Sequence, residues 1–174
     1  TELVFDRATV RSERPQRDRT LRLACGVGWG IEVEAAHNRQ RSGTARGEAI
    51  GLEVKTDLRE RDENRVGWAV AVALGTERIG GSWRRSEYAF EVEATRLLGE
   101  HWLVDAKLGV ARDVRSRRAS TLWALALEYA VNDNFELVAE LEGDDRGRPL
   151  AKAGLRWTLW EDVQLKASYG QRNG

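Results

Sequence analysis

Alternation with a period of two runs through nearly the whole chain, and it is most extreme in NRVGWAVAVALG at 64–75. Val66, Trp68, Val70, Val72 and Leu74 fall on one face of a strand there, and Gly67, Ala69, Ala71, Ala73 and Gly75 on the other. A strand with one face on a core and one in water alternates apolar with polar. This one alternates large apolar side chains with almost nothing. The fold must explain which face meets water and what needs the room on the small side.

The same period predicts strands near 2–11, 20–27, 31–38, 48–58, 65–76, 87–97, 102–112, 121–131, 135–142, 150–160 and 163–171. Helical periodicity is not convincing anywhere, and no apolar run approaches the ~20 residues of a transmembrane helix. A mean hydropathy of −0.54 reads as soluble, but membrane β-barrels hide their apolar residues at every second position. The 28 basic and 28 acidic residues cancel, which argues against a nucleic-acid binder. Cys25 is the single cysteine; it falls on the apolar face, as a small hydrophobe rather than a reactive thiol, and no internal disulfide can form.

The connections sort into two classes. Short ones are Gly28 to Gly30 and the segments 59–64, 97–101, 132–134 and 160–162; long polar ones are 12–19, 38–47, 76–87, 112–120 and 143–149. Long and short alternate strictly, so an up-and-down meander puts tight turns at one end and loops at the other. Outer-membrane barrels show that asymmetry, with short periplasmic turns and longer extracellular loops.

One face of the strands is nearly free of charge. The other carries Arg22, Glu32, Glu34, Glu53, Lys55, Asp57, Glu91, Glu93, Asp105, Lys107, Glu128, Glu136, Glu140, Lys152, Arg156 and Lys166, with Gly and Ala between them. A soluble barrel would turn the apolar face into its lumen, where it would bind an apolar ligand. A membrane barrel would turn that face to lipid and line its lumen with the charges. Three features favour the membrane barrel. A wet surface has no use for a whole strand of Gly and Ala, both poor strand formers, whereas a crowded lumen needs them opposite long charged side chains. Aromatics collect at the ends of the apolar band, Trp29, Trp102, Tyr129, Phe135 and Trp157 by the turns and Tyr88 and Tyr169 toward the loops, as at membrane interfaces. All four lysines fall on the charged face, while most arginines fall in the long loops.

The charged face gives two readings. Opposite charges pair and fill a narrow barrel, or they line a polar conduit whose acidic excess favours cations. The long loops carry Arg11, Arg14, Arg17, Arg19, Arg39, Arg41, Arg46, Arg78, Arg84, Arg85, Arg112, Arg115, Arg117, Arg118, Arg146 and Arg148, a rim suited to bidentate contact with the phosphates of lipopolysaccharide, with Arg115, Arg117 and Arg118 as its candidate anion-binding loop; ordinary solvated loops are the alternative. Catalysis has little to work with. His37 and His101, the two histidines, sit at opposite ends of the barrel, GTERIGGSW lacks the strand-to-helix context of a phosphate cradle, and no enzyme activity, cofactor or metal is expected.

The run NDNFELVAELEGDDRGRPLAKAGLRWTLWEDVQLKASYG, and the earlier CGVGWGIEVE, resemble Gram-negative outer-membrane β-barrel proteins, in particular the C-terminal part of those grouped as transporters or as meta-pathway phenol-degradation-like proteins. That resemblance implies an outer-membrane location, a lipid bilayer as partner, and passage of small molecules; it transfers no catalytic residues. Such proteins commonly end in a further strand with a terminal aromatic. The expectation is therefore one all-β domain over 1–174, an antiparallel up-and-down transmembrane barrel of about 10–12 strands. Eleven are read here, and ASYGQRNG ends without the descending twelfth strand that would close the barrel.

Overall fold

Among the described residues the alternation becomes eleven strands. A computed structural model describes residues 2–10, 16–42, 45–59, 62, 65–79, 81–160 and 163–172. The strands are β1 (Glu2–Val10), β2 (Gln16–Gly28), β3 (Ile31–Ser42), β4 (Ala45–Arg59), β5 (Gly67–Ile79), β6 (Ser82–Leu98), β7 (Trp102–Asp113), β8 (Ala119–Asn132), β9 (Phe135–Asp144), β10 (Leu150–Trp160) and β11 (Val163–Arg172). Each pairs antiparallel with its neighbour in sequence, as an up-and-down meander requires. Parts of the expected connections at 12–19, 38–47, 59–64, 76–87 and 160–162 lie outside the described residues.

An odd number of alternating strands leaves the first and last pointing the same way. The sheet closes accordingly: β1 lies beside β11 in parallel, from Glu2 opposite Gln164 to Val10 opposite Arg172, and beside β2 antiparallel. The strands of this chain thus close on one another through a parallel seam. A one-residue slip would turn every side chain of a strand to the wrong face, so register holds the faces apart. Register shifts at Gly26/Gly28, Asp57/Arg59, Ala130/Asn132 and Thr158/Trp160 lie at the turn end, where bulges can bend a barrel rim without disturbing its wall; a further one, Gly75/Thr76 between β5 and β6, lies toward the loop end.

The loop end departs from expectation. The segments read as long loops at 38–47 and 76–87 are largely strand, since β3 runs to Ser42, β4 starts at Ala45, β5 runs to Ile79 and β6 starts at Ser82. These hairpins continue the sheet past the apolar band. Polarity on both faces hid the extension, because period two is visible only where the two faces differ in chemistry.

The inside holds no large apolar core. The most buried apolar residues are mostly small, Ala111 at 2 % exposure together with Ala24, Ala69, Ala71 and Ala89. The large apolar side chains face out: Leu108 is 63 % exposed and Val110 55 %, and Val72, Leu125, Leu137 and Leu155 are exposed with them. A contiguous apolar surface of this extent is foreign to a soluble monomer. Between Trp102 and Val110 the outward band of β7 covers nine residues, within the ~9–11 that a tilted strand needs to cross a bilayer.

Candidate functional site: a charged lumen

The small face of β5 points inward, between the charged rows of its neighbours. Register sets Glu53, Lys55 and Asp57 of β4 beside Ala73, Ala71 and Ala69, and Glu91 and Glu93 of β6 beside Ala71 and Ala69. With only methyl groups in the way, Lys55 bridges β5: its Nζ lies 3.5 Å from Glu32 on β3 and 3.9 Å from Glu93 on β6. Glu93 also takes Lys107 of β7 at 3.2 Å. The alanines are the floor over which opposite charges meet, and that is what the room is for.

The same device recurs around the lumen. Lys166 of β11 donates to Glu140 of β9, crossing β10 on the face that carries Gly154. A Cβ on Gly154 would stand 2.4 Å from the Ala167 carbonyl and 2.8 Å from the Ser168 Cβ. Lys152 lies 2.7 Å from Glu142 and 3.6 Å from Glu140. Arg156 makes the densest cluster, its Nη1 donating to Glu128 at 2.7 Å and Glu136 at 2.8 Å and its Nη2 to the other Glu128 oxygen at 2.8 Å. This two-pronged grip holds Glu128, which is only 8 % exposed. A buried carboxylate is costly without a partner, and the guanidinium supplies one in two-pronged geometry. Arg22 meets Glu34 at 3.5 Å.

These side chains surround a cavity of about 480 Å³. Of the sixteen charged residues on that strand face, fourteen border this cavity; Asp57 lies toward the turn end against Gly30, and Glu136 meets the cluster through Arg156. Sequence reading missed Asp144, beyond the strand expected over 135–142, and Glu142, the last residue of that strand, in the lining, and missed Thr95, whose hydroxyl donates to Asp105. Ten lining carboxylates face six lining cations, a formal excess of four negative charges. Every lining cation has a carboxylate within 4 Å. Among the described residues Glu53 and Glu91 have no such cation partner. Asp105 of β7, which accepts from Thr95, has none either, so the carboxylates without a cation gather on the β4–β7 side.

The rims differ in kind. At the turn end Trp102 packs on Tyr129 at a ring separation of 4.6 Å, and Phe135 stacks on Trp157 at 5.4 Å. Trp29 projects from its turn 96 % exposed, with Gly28, Trp29 and Gly30 all at positive φ (91°, 56° and 68°); glycine is needed at the two flanking positions for so tight a reversal. Toward the loops Tyr88 and Tyr169 are exposed. Arg115, Arg117 and Arg118 sit in the β7–β8 loop, all exposed. Backbone bonds from Asp113 N to Arg118 O and from Val114 N to Ser86 O tie that loop to β6. The Ser116 amide donates to the Asp113 carboxylate at 2.5 Å and holds that group below the usual carboxylate range. His37 on β3 and His101 at a turn stand at opposite ends, and among the described residues no group of His, Cys, Asp and Glu has metal-site geometry.

These features define a porin-like β-barrel. A solved KdgM porin superposes on this chain with a TM-score of 0.51, at 9 % sequence identity, over 84 % of this chain and 78 % of that one. The chain belongs to the family described as "Uncharacterised conserved protein UCP029691", which it matches over residues 9–173. No curated protein matches it in sequence.

Proposed function

We propose that this barrel spans the bacterial outer membrane and passes small polar solutes, cations before anions, through its charged lumen. The observation that carries the reading is the sorting of faces: exposed apolar side chains outside, ten carboxylates and six cations inside. A bilayer accepts the first face and a water-filled conduit the second. The fold shared with a KdgM porin supports it, as does the likeness of the C-terminal strands to transporter-type outer-membrane proteins. Eleven strands lie between the eight that side chains just fill and the sixteen or more that leave an open channel, which suits a narrow passage. Carboxylates beyond those that neutralise the lysines and arginines favour cations. The reading involves no enzymatic step. A barrel closed around an apolar ligand is disfavoured, since the lining is charged.

One observation supports a second reading, a plugged structural barrel. All six lining cations are tied to carboxylates, several across an intervening strand, and such bonds rigidify a lumen as well as lining it. Two measurements separate the readings. Refolding in detergent should give a compact, heat-modifiable gel band that plain buffer does not; a folded monomer in buffer would sink the membrane placement. Proteoliposomes should then swell in small cationic solutes, and swelling no faster than empty vesicles would favour the plugged barrel.

A further inference from the structure

On four consecutive strands the outward series changes from apolar to arginine within a residue or two. Along β2 it runs Leu23, Leu21, Arg19; along β3 Val33, Ala35, His37, Arg39, Arg41; along β4 Leu52, Ile50, Glu48, Arg46; along β5 Val72, Leu74, Thr76, Arg78. The strands β8 to β11 carry no outward arginine at the corresponding level among the described residues. Register then sets like against like. Arg19 stands opposite Arg39 and Arg41 opposite Arg46. Glu48 is the single acid in this group of five arginines and is already shared, at 3.4 Å from Arg39 and 3.2 Å from Arg78. All five arginines are exposed.

Directly opposed like charges destabilise a sheet unless a counter-charge lies between them. Among the described residues Glu48 is the one counter-charge between them, and this face lies at the level where the apolar band ends and lipid headgroups begin. Guanidinium in pairs suits phosphate oxygens. We propose that this arginine face binds the phosphate groups of lipopolysaccharide packed around the barrel. The site is the outer wall of the β2–β5 extension; the β7–β8 loop arginines, Arg115, Arg117 and Arg118, follow one another in a turn and form no such opposed rows. The proposal rests on the membrane placement above.

The test uses the full barrel refolded in detergent, with purified lipopolysaccharide and its dephosphorylated form as probes and heat-modifiable mobility as the check of folding. Wild type should hold the phosphorylated form about tenfold more tightly, with salt weakening the preference. Arg39→Gln/Arg41→Gln/Arg46→Gln should abolish that preference while folding normally, and Arg115→Gln/Arg117→Gln/Arg118→Gln should keep it. Equal binding of the two probes by folded wild type, an undiminished preference in the first triple variant, or loss in the loop variant instead would overturn the proposal. Failure of wild type to fold in detergent would overturn the membrane placement, a result distinguishable from any of these.

Discussion

The lumen and the outer wall of the β2–β5 hairpins both carry charge, arranged in opposite ways. In the lumen opposite meets opposite: Arg156 between Glu128 and Glu136, Lys166 reaching Glu140, Lys55 spanning from Glu32 to Glu93. On the wall like meets like, with Arg41 opposite Arg46 and one glutamate among five arginines. Both patterns follow from register, but their surroundings differ. Charges crowded on the inner wall of a narrow lumen are partly desolvated, and such ions without partners are costly. A face on the outside can leave its charges to be satisfied by what it touches. Internal pairing thus marks charges that shape the barrel, and its absence marks charges that meet something else.

Breaking the strongest lumen pairing should produce the largest effect. Arg156→Met leaves Glu128 and Glu136 without their shared guanidinium, and the folded barrel should lose about 3–5 kcal/mol, read by urea unfolding in detergent. Filling a floor position comes next. Ala71→Leu puts a branched side chain under the Lys55–Glu93 crossing and should cost about 1–3 kcal/mol through overpacking, with a fall in conductance. Glu53→Gln/Glu91→Gln removes carboxylates that lack a cation partner among the described residues, so stability should stay within about 0.5 kcal/mol while cation preference drops. An unfolding midpoint that moves as far as that of Arg156→Met would show that these acids are structural after all.

The wall should respond least in stability. Removing Arg39, Arg41 and Arg46 in lipid-free detergent should change it by no more than about 0.5 kcal/mol, since exposed charges contribute little; a loss of several kcal/mol would place the arginines with the lumen charges. The smallest effect concerns Asp113. Its carboxyl lies below the ordinary range because the Ser116 amide donates to it. The folded form is therefore favoured above the ordinary carboxylate pKa, and that contribution fades as pH falls through the lower folded value. The Ser116 amide resonance should titrate with a midpoint below about 3.9, and a midpoint at or above it would remove the turn's role in ordering the loop.

Much of this was legible in the sequence because a barrel with an apolar outer face and a charged inner one makes chemistry alternate residue by residue. Strand identity, the outward face and most of the lumen lining follow from positions such as Val110 against Gly109 and Leu137 against Glu136. What escaped lay where the faces do not differ. Arg39, Gln40 and Arg41 are polar on both sides, so the extension of β3 read as loop. Glu142 was lost for the same reason, at a strand end where GDD masks the period. The parallel seam could not be read from periodicity at all. Alternation fixes the direction of each strand but is silent on how the first and last find each other, and an odd count leaves a parallel contact as the geometry that closes them.

The most direct test of a cation-passing lumen is the reversal potential of the refolded, heat-modifiable barrel in a planar bilayer under a potassium chloride gradient. Single-channel steps should appear, with a reversal potential of the sign set by potassium, and the Glu53→Gln/Glu91→Gln variant should move that potential toward zero. A folded barrel that shows no steps, or one that reverses on the chloride side, would contradict the proposal.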